Sequence, residues 1–283
     1  MGSARNGSGG LAFVVMLGLV LVSATARAQQ PTDPNPGNLT LTMGVDFPTT
    51  YIFRGFVQES KPRLTAQPYG DVGLAFHSAS RGLIRSVGAN VGLWNSLQTG
   101  SSGLKGPADR VWYEERFYSS LTLGFGGGTS VATTYIAYTS PSGMFRTVRE
   151  INVKASAANR FAPYGILARE LDGQADGGSN KGTYLELGAG PSWPIGGSKA
   201  TIGIPIKVGL SVNDYYELGN KDKRFGFLDV GALVTLPLGI PSGFGSWNVH
   251  GGADYLKFGD TTKAFNGGDG SKAIGSVGIG LSY

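Results

Sequence analysis

From residue 39 to the end of the chain, apolar residues fall on every second position in segment after segment. The clearest case is Thr201 to Asp214, where Ile202, Ile204, Ile206, Val208, Leu210 and Val212 form one row. Thr201, Gly203, Pro205, Lys207, Gly209 and Ser211 form the other. A period of two is the signature of a strand with two unlike faces. Residues 86–93, 150–157, 183–190 and 228–236 repeat it. The pattern predicts twelve strands, at 39–54, 65–78, 82–97, 111–125, 129–140, 146–158, 163–172, 182–193, 200–216, 225–238, 245–258 and 273–283.

The connections between these strands carry an independent signal. Those at 55–64, 98–110, 141–145, 173–181, 217–224 and 259–272 are mostly long, charged or rich in Gly and Ser. Those at 79–81, 126–128, 159–162, 194–199 and 239–244 are tight. Alternating long and short connections, with an even strand count, describe a transmembrane antiparallel β-barrel: all-β, with external loops and periplasmic turns. Its first and last strands must pair, because an open edge cannot face lipid.

The last strand fits that closure. Val277, Ile279, Leu281 and Tyr283 are apolar and alternate with Ser276, Gly278, Gly280 and Ser282. An alternating apolar run ending on an aromatic resembles the C-terminal signal that outer-membrane assembly machinery reads, with Tyr283 where Phe is more frequent. At the other end, Arg5 precedes a run of 12 apolar residues, Leu11 to Val22, and then Ala26-Arg27-Ala28. This is the charged, apolar and small-residue order of a secretory signal peptide. The expected layout is a signal peptide at 1–28, a flexible lead-in at 29–38 and a barrel at 39–283, placed in the bacterial outer membrane.

Composition removes other classes. Glycine is 47 of 283 residues without a triplet period, which excludes collagen. There are no cysteines, so neither disulfides nor thiolate metal sites arise. The net charge of +5 includes Arg5 and Arg27 of the leader, and what remains is too mild and too scattered to indicate nucleic acid. No cofactor motif is present. The partners expected are membrane lipid, the assembly machinery and small solutes, with monomer and homo-oligomer both open.

The stretch Val45 to Ser60, VDFPTTYIFRGFVQES, resembles the N-terminal signature of the TorF-like family of outer-membrane porins. The matching residues are Tyr51, Phe53, Arg54, Gly55 and Gln58. Gly92 to Ser96, GLWNS, is similar to a second feature of that family. The resemblance implies a porin.

A Lys or Arg facing lipid at mid-bilayer costs ~2–4 kcal/mol, so strand charges should face the lumen. The candidate pore-lining residues are therefore the acidic Glu114, Glu150, Glu186, Asp229 and Asp254 and the basic Arg116, Lys154 and Lys207. Arg54 joins them where the first strand leaves the barrel; it either projects into the pore mouth or pairs with a neighbouring carboxylate. These charges either tune a channel or fill a barrel too narrow to conduct. Tyr51, Phe53, Trp94, Trp112 and Tyr113 cluster near strand ends, as do Trp193, Tyr215, Tyr216, Trp247 and Tyr255, which suits interfacial aromatic girdles. Catalysis has little to build on. His77 and His250 are the only histidines, and Ser246 near His250 offers no nucleophile elbow. The first reading is a channel for passive diffusion of small polar solutes. The alternative is a non-conducting barrel acting through its external loops. A lipid hydrolase built on His250 and a soluble periplasmic β-protein stand behind these.

Overall fold

The structure, a computed structural model, describes residues 37–102, 111–176, 178–219 and 221–283. The signal peptide expected at 1–28 lies outside the described residues, as do most of the lead-in and most of the 98–110 loop.

Twelve antiparallel staves form one closed barrel. They are β1 (Leu39–Pro48), β2 (Thr65–Ser78), β3 (Ile84–Gln98), β4 (Trp112–Phe125), β5 (Thr129–Thr139) and β6 (Val148–Ala157). Then follow β7 (Tyr164–Asp172), β8 (Thr183–Ala189 and Ser192–Pro194), β9 (Thr201–Gly203 and Ile206–Asn213), β10 (Phe225–Pro237), β11 (Ser246–Phe258) and β12 (Ser271–Ser282). Each pairs with its neighbour in sequence. β8 and β9 are interrupted at Pro191 and Pro205, because proline has no N–H to give the ladder. The Ile204 N–H instead reaches the Pro191 carbonyl at 2.9 Å.

The seam joins β12 to β1, from Thr42 opposite Ser282 to Pro48 opposite Ser276. Leu41 and Tyr283 exchange both backbone hydrogen bonds, at 2.7 and 2.8 Å. The C-terminal residue is thus tied into the wall. Val277 is 61% exposed on the outer face, as Leu39, Val72, Leu93, Leu121 and Leu187 are on theirs. A short α-helix, α1 (Asp260–Phe265), lies in the connection between β11 and β12. No helix among the described residues is long and apolar enough to cross a membrane.

The main departure from the expected layout is at the first strand. It ends at Pro48 and does not run to residue 54. Residues 50–59 turn inward and enter the barrel, and residues 60–64 are mostly exposed. A second departure concerns the aromatics. Trp112, Trp193 and Tyr255 are exposed on the outside, but Tyr51, Phe53, Trp94, Tyr113, Tyr215 and Tyr216 are buried inside. They pack around the inserted loop and form no girdle.

Candidate functional site

Inside the barrel, Ile52–Phe53 pairs with Phe56–Val57 as a miniature hairpin. Its turn is Arg54-Gly55, with φ of +46° and +86°. A two-residue hairpin of this kind needs positive φ at both corners. Gly55 meets that need, and no larger residue fits there: a Cβ would lie 2.9 Å from Thr262 Cγ2 and 3.2 Å from Phe227 Cβ. Arg54 occupies the left-handed region against its preference, which its surroundings must enforce.

They do so through β6, β8 and the loop after β9. Arg54 donates two hydrogen bonds to Glu150, Nη1 to Oε2 at 2.7 Å and Nη2 to Oε1 at 2.8 Å. It donates a third to the Tyr215 hydroxyl at 2.7 Å. Its guanidinium lies 4.1 Å from the centre of the Tyr184 ring. The Tyr216 hydroxyl donates to the Arg54 carbonyl at 3.0 Å. The side chains of Arg54 and Glu150 are 2% and 0% exposed, so the pair is dry. Of the two roles foreseen for Arg54, it takes the one of pairing with a carboxylate.

A second arginine sits on the other side of the hairpin. Arg116 Nε donates to Glu114 Oε1 at 2.6 Å, and its Nη2 donates to the Tyr51 hydroxyl. That hydroxyl donates to Glu114 Oε2 at 3.0 Å. The Arg116 guanidinium stacks 4.1 Å from the Trp94 ring. Phe53 is held between the two guanidinium groups, 5.1 Å from Arg54 and 4.9 Å from Arg116. Cations over aromatic faces attract, and more strongly where water is absent.

The hairpin is also fastened from above. Asn266, just past α1, accepts from the Val57 N–H at 2.9 Å and donates to the Gly55 carbonyl at 2.8 Å. Phe265 meets Phe56 edge-on at 5.2 Å. Glu59 is fully buried; it accepts from the Tyr51 N–H at 3.0 Å and the Thr65 hydroxyl at 2.5 Å. Burial raises the Glu59 pKa, opposed by those two hydrogen bonds. Gln58, part of the same signature, accepts from the Tyr113 hydroxyl. The long-loop half of the barrel is therefore a packed core, with apolar clusters on both sides of the hairpin.

The other half differs. Among the inward side chains there, the small polar Thr40, Thr42, Ser120, Thr134, Ser156 and Ser276 are only half-buried, beside the buried Asp71, Asn90 and Asn152. An inward residue can be exposed only to space within the barrel, so this half encloses a vestibule that the packed half lacks. Charges ring its upper part. Lys154 leans over the Tyr164 ring at 4.8 Å. Glu186 accepts from the hydroxyls of Tyr164 at 2.8 Å and Tyr184 at 2.5 Å. Lys207 pairs with Asp229 at 3.1 Å. Asp254, on β11, completes the arc. Thus, of the nine charged candidates, Arg54, Glu114, Arg116 and Glu150 lie in the packed half, and the other five lie at its border with the vestibule, where Lys154, Glu186 and Asp229 are buried and Lys207 and Asp254 half-buried.

His250 also faces inward. Its Nε2 is 2.7 Å from Asp46 Oδ1 and its Nδ1 is 2.9 Å from Asn248 Oδ1. Both ring nitrogens are engaged by these two side chains, and neither contacts a hydroxyl, so the structure brings no Ser or Thr nucleophile to His250. Among the described residues, no group of three or more His, Cys, Asp or Glu side chains could hold a metal ion.

Several solved barrels are similar to this chain in outline. The NanC porin has a TM-score of 0.44 at 12% identity, over 85% of this chain and 98% of that one. Outer membrane phospholipase A from Escherichia coli has a TM-score of 0.45 at 10% identity, over 85% and 92%. OmpF of Salmonella typhi, solved in complex with daunomycin, has a TM-score of 0.39 at 11% identity, over 87% and 97%. Likeness this distant assigns no activity to the chain. No protein-family model matches it, and no curated protein matches it in sequence. The TorF-like resemblance therefore rests on its motif residues alone.

Proposed function

We propose that this protein is an outer-membrane channel for small polar solutes that is stoppered at rest by its own first loop. The turn-end vestibule is the standing part of the path. The 49–64 hairpin closes the rest, and passage requires it to leave. The observation that carries this reading is the bidentate, fully buried Arg54–Glu150 pair, which anchors a loop turn to the opposite wall. A loop fixed this way across the lumen blocks the path until it leaves. The mature chain from residue 29, the leader removed, and the signal at Val277, Ile279, Leu281 and Tyr283 belong to the same reading, as does delivery by the assembly machinery.

The test is planar-bilayer conductance of residues 29–283, beside a variant in which residues 51–58 are replaced by a Gly/Ser linker. The expected result is brief, rare steps from the natural chain and a steady conductance from the variant. A folded, inserted variant that stays silent would sink the proposal in favour of a non-conducting barrel acting through its loops.

A further inference from the structure

The two ends of the barrel carry charge differently. At the long-loop end, exposed cations stand beside carboxylates: Arg149 meets Asp172 at 2.6 Å and Lys223 meets Asp260 at 3.1 Å. At the turn end they do not. Arg81 and Arg85 lie at the turn between β2 and β3, Arg160 at the turn between β6 and β7, and Lys199 at the turn between β8 and β9. Arg85 reaches over the Gly126–Gly128 turn between β4 and β5, where a Cβ on Gly126 would lie 3.7 Å from its Nε. Cations thus serve every turn from β2 round to β9. Arg81, Arg160 and Lys199 are exposed, and among the described residues none of these cations pairs with a carboxylate. The turns themselves, 79–83, 126–128, 158–163, 195–200 and 238–245, contain no Asp or Glu. The C-terminal carboxylate of Tyr283 sits at the seam, beyond this arc. The same turns hold apolar side chains in the open. Leu83 is 79% exposed and Phe161 51%, and Trp193 and Ile195 are exposed beside them. The Arg160 guanidinium lies 4.6 Å from the centre of the Phe161 ring.

A turn bathed only in water gains nothing from an open Leu83 and Phe161. Apolar side chains set among unpaired cations suit the headgroup layer of a membrane, where stems and rings reach acyl chains while charged tips stay at the polar surface. Phosphate there supplies the negative charge that the turns lack. Attraction to an anionic lipid surface strengthens binding by about fivefold for each Lys or Arg near it. A carboxylate-bearing polysaccharide would meet the cations but leave the apolar side chains uncovered. We propose that the turn rim from β2 to β9 binds anionic phospholipid, with Arg81, Arg160 and Lys199 holding the phosphodiester headgroups. Leu83, Phe161 and Ile195 would lie against the adjoining acyl chains. The surface is outside the lumen. It rests on the barrel standing in lipid and is independent of whether the hairpin moves.

The experiment is tryptophan quenching by brominated lipid, on residues 29–283 reconstituted in phosphatidylcholine bilayers. In a Trp112→Phe background the outward tryptophans are Trp193 and Trp247, both near the turn end, and Trp94 is buried. Brominated phosphatidylglycerol is compared with brominated phosphatidylcholine at equal mole fraction. The expected result is stronger quenching by phosphatidylglycerol, an advantage that shrinks at about 0.5 M salt. Arg81→Gln, Arg160→Gln and Lys199→Gln should each lower the preference by up to about fivefold, and together they should abolish it. All three side chains are exposed, so these variants should fold, which heat-modified gel mobility checks. Arg149→Gln, at the loop end, should leave the preference unchanged. Equal quenching by the two lipids would overturn the proposal, as would a preference that survives the triple variant. Full competition by inorganic phosphate would make the rim a free-anion site and overturn it too. Binding to purified peptidoglycan that is lost in the triple variant, without any lipid preference, would assign the rim to the cell wall instead.

Discussion

Replacing Arg54 by Ala should open the barrel. In the natural chain its guanidinium makes two charge-assisted hydrogen bonds to Glu150 and one to Tyr215, with neither ion exposed to water. Removing one partner of a buried ion pair strands the other, at a cost of about 3–5 kcal/mol. Glu150 would keep only the Tyr138 hydroxyl at 3.2 Å. At about 1.4 kcal/mol per factor of ten, the docked hairpin should lose on the order of a hundred- to several-thousandfold in equilibrium constant. The assay is single-channel recording, with heat-modified gel mobility as the check that each variant is folded. The open fraction of Arg54→Ala should rise steeply over the natural chain, and Glu150→Gln should follow it. Arg54→Met combined with Glu150→Met should close the barrel again, since an apolar pair can replace a buried ion pair at little cost. A folded Arg54→Ala variant with the natural open fraction would refute the idea that this pair holds the stopper.

Three further outcomes follow from the wall and the loop. Gly209→Ala should destabilise by about 1–3 kcal/mol in urea unfolding, because its Cβ would lie 2.7 Å from Phe227 Cδ1 in the packed half and the ring has nowhere to go. Val277→Lys, outward and near the middle of β12, should cost ~2–4 kcal/mol in unfolding from lipid if this face meets the bilayer core, and much less in detergent that adapts to it. Glu59 has a folded-state pKa above its ordinary value, so its ionised form opposes docking and protonation relieves that opposition. The 49–64 segment should then resist limited proteolysis better at about pH 5 than at about pH 8, and Glu59→Gln should abolish the difference.

The staves were readable from sequence because lipid on one side and a polar interior on the other impose a strict period of two. The alternation puts β2 at 65–78, where it lies, and misses β10 by one residue. It overruns the first strand by six residues because Tyr51 and Phe53 continue the aromatic pattern while pointing into the barrel. Alternation reports that two faces differ, and it does not report which way a loop turns. One sequence signal did bear on the hairpin. Tyr51, Ile52, Phe53, Phe56 and Val57 make this connection far more apolar than an external loop in water should be. With Arg-Gly at the centre, such a stretch must bury itself. The charges were directed inward by the cost of lipid, but which of them meet depends on stagger between staves. That stagger brings Glu150 to Arg54 across 96 positions, and no local pattern encodes it.

The seam between Leu41 and Tyr283 also orders the way the chain comes together. Every other pairing in the wall joins neighbours in sequence, and such contacts form early and cheaply. The seam joins the first stave to the last and must wait for all the others. The hairpin follows directly on β1, yet Glu150, Tyr184, Tyr215 and Asn266 all come later in the chain. Its anchor points arrive one after another as the wall is laid down, and α1 arrives just before β12. Most of the contacts that hold the hairpin can therefore form while the barrel is still an open sheet. In that order, the meeting of Tyr283 and Leu41 would close the barrel around a loop already in place, as a bottle is blown around its cork.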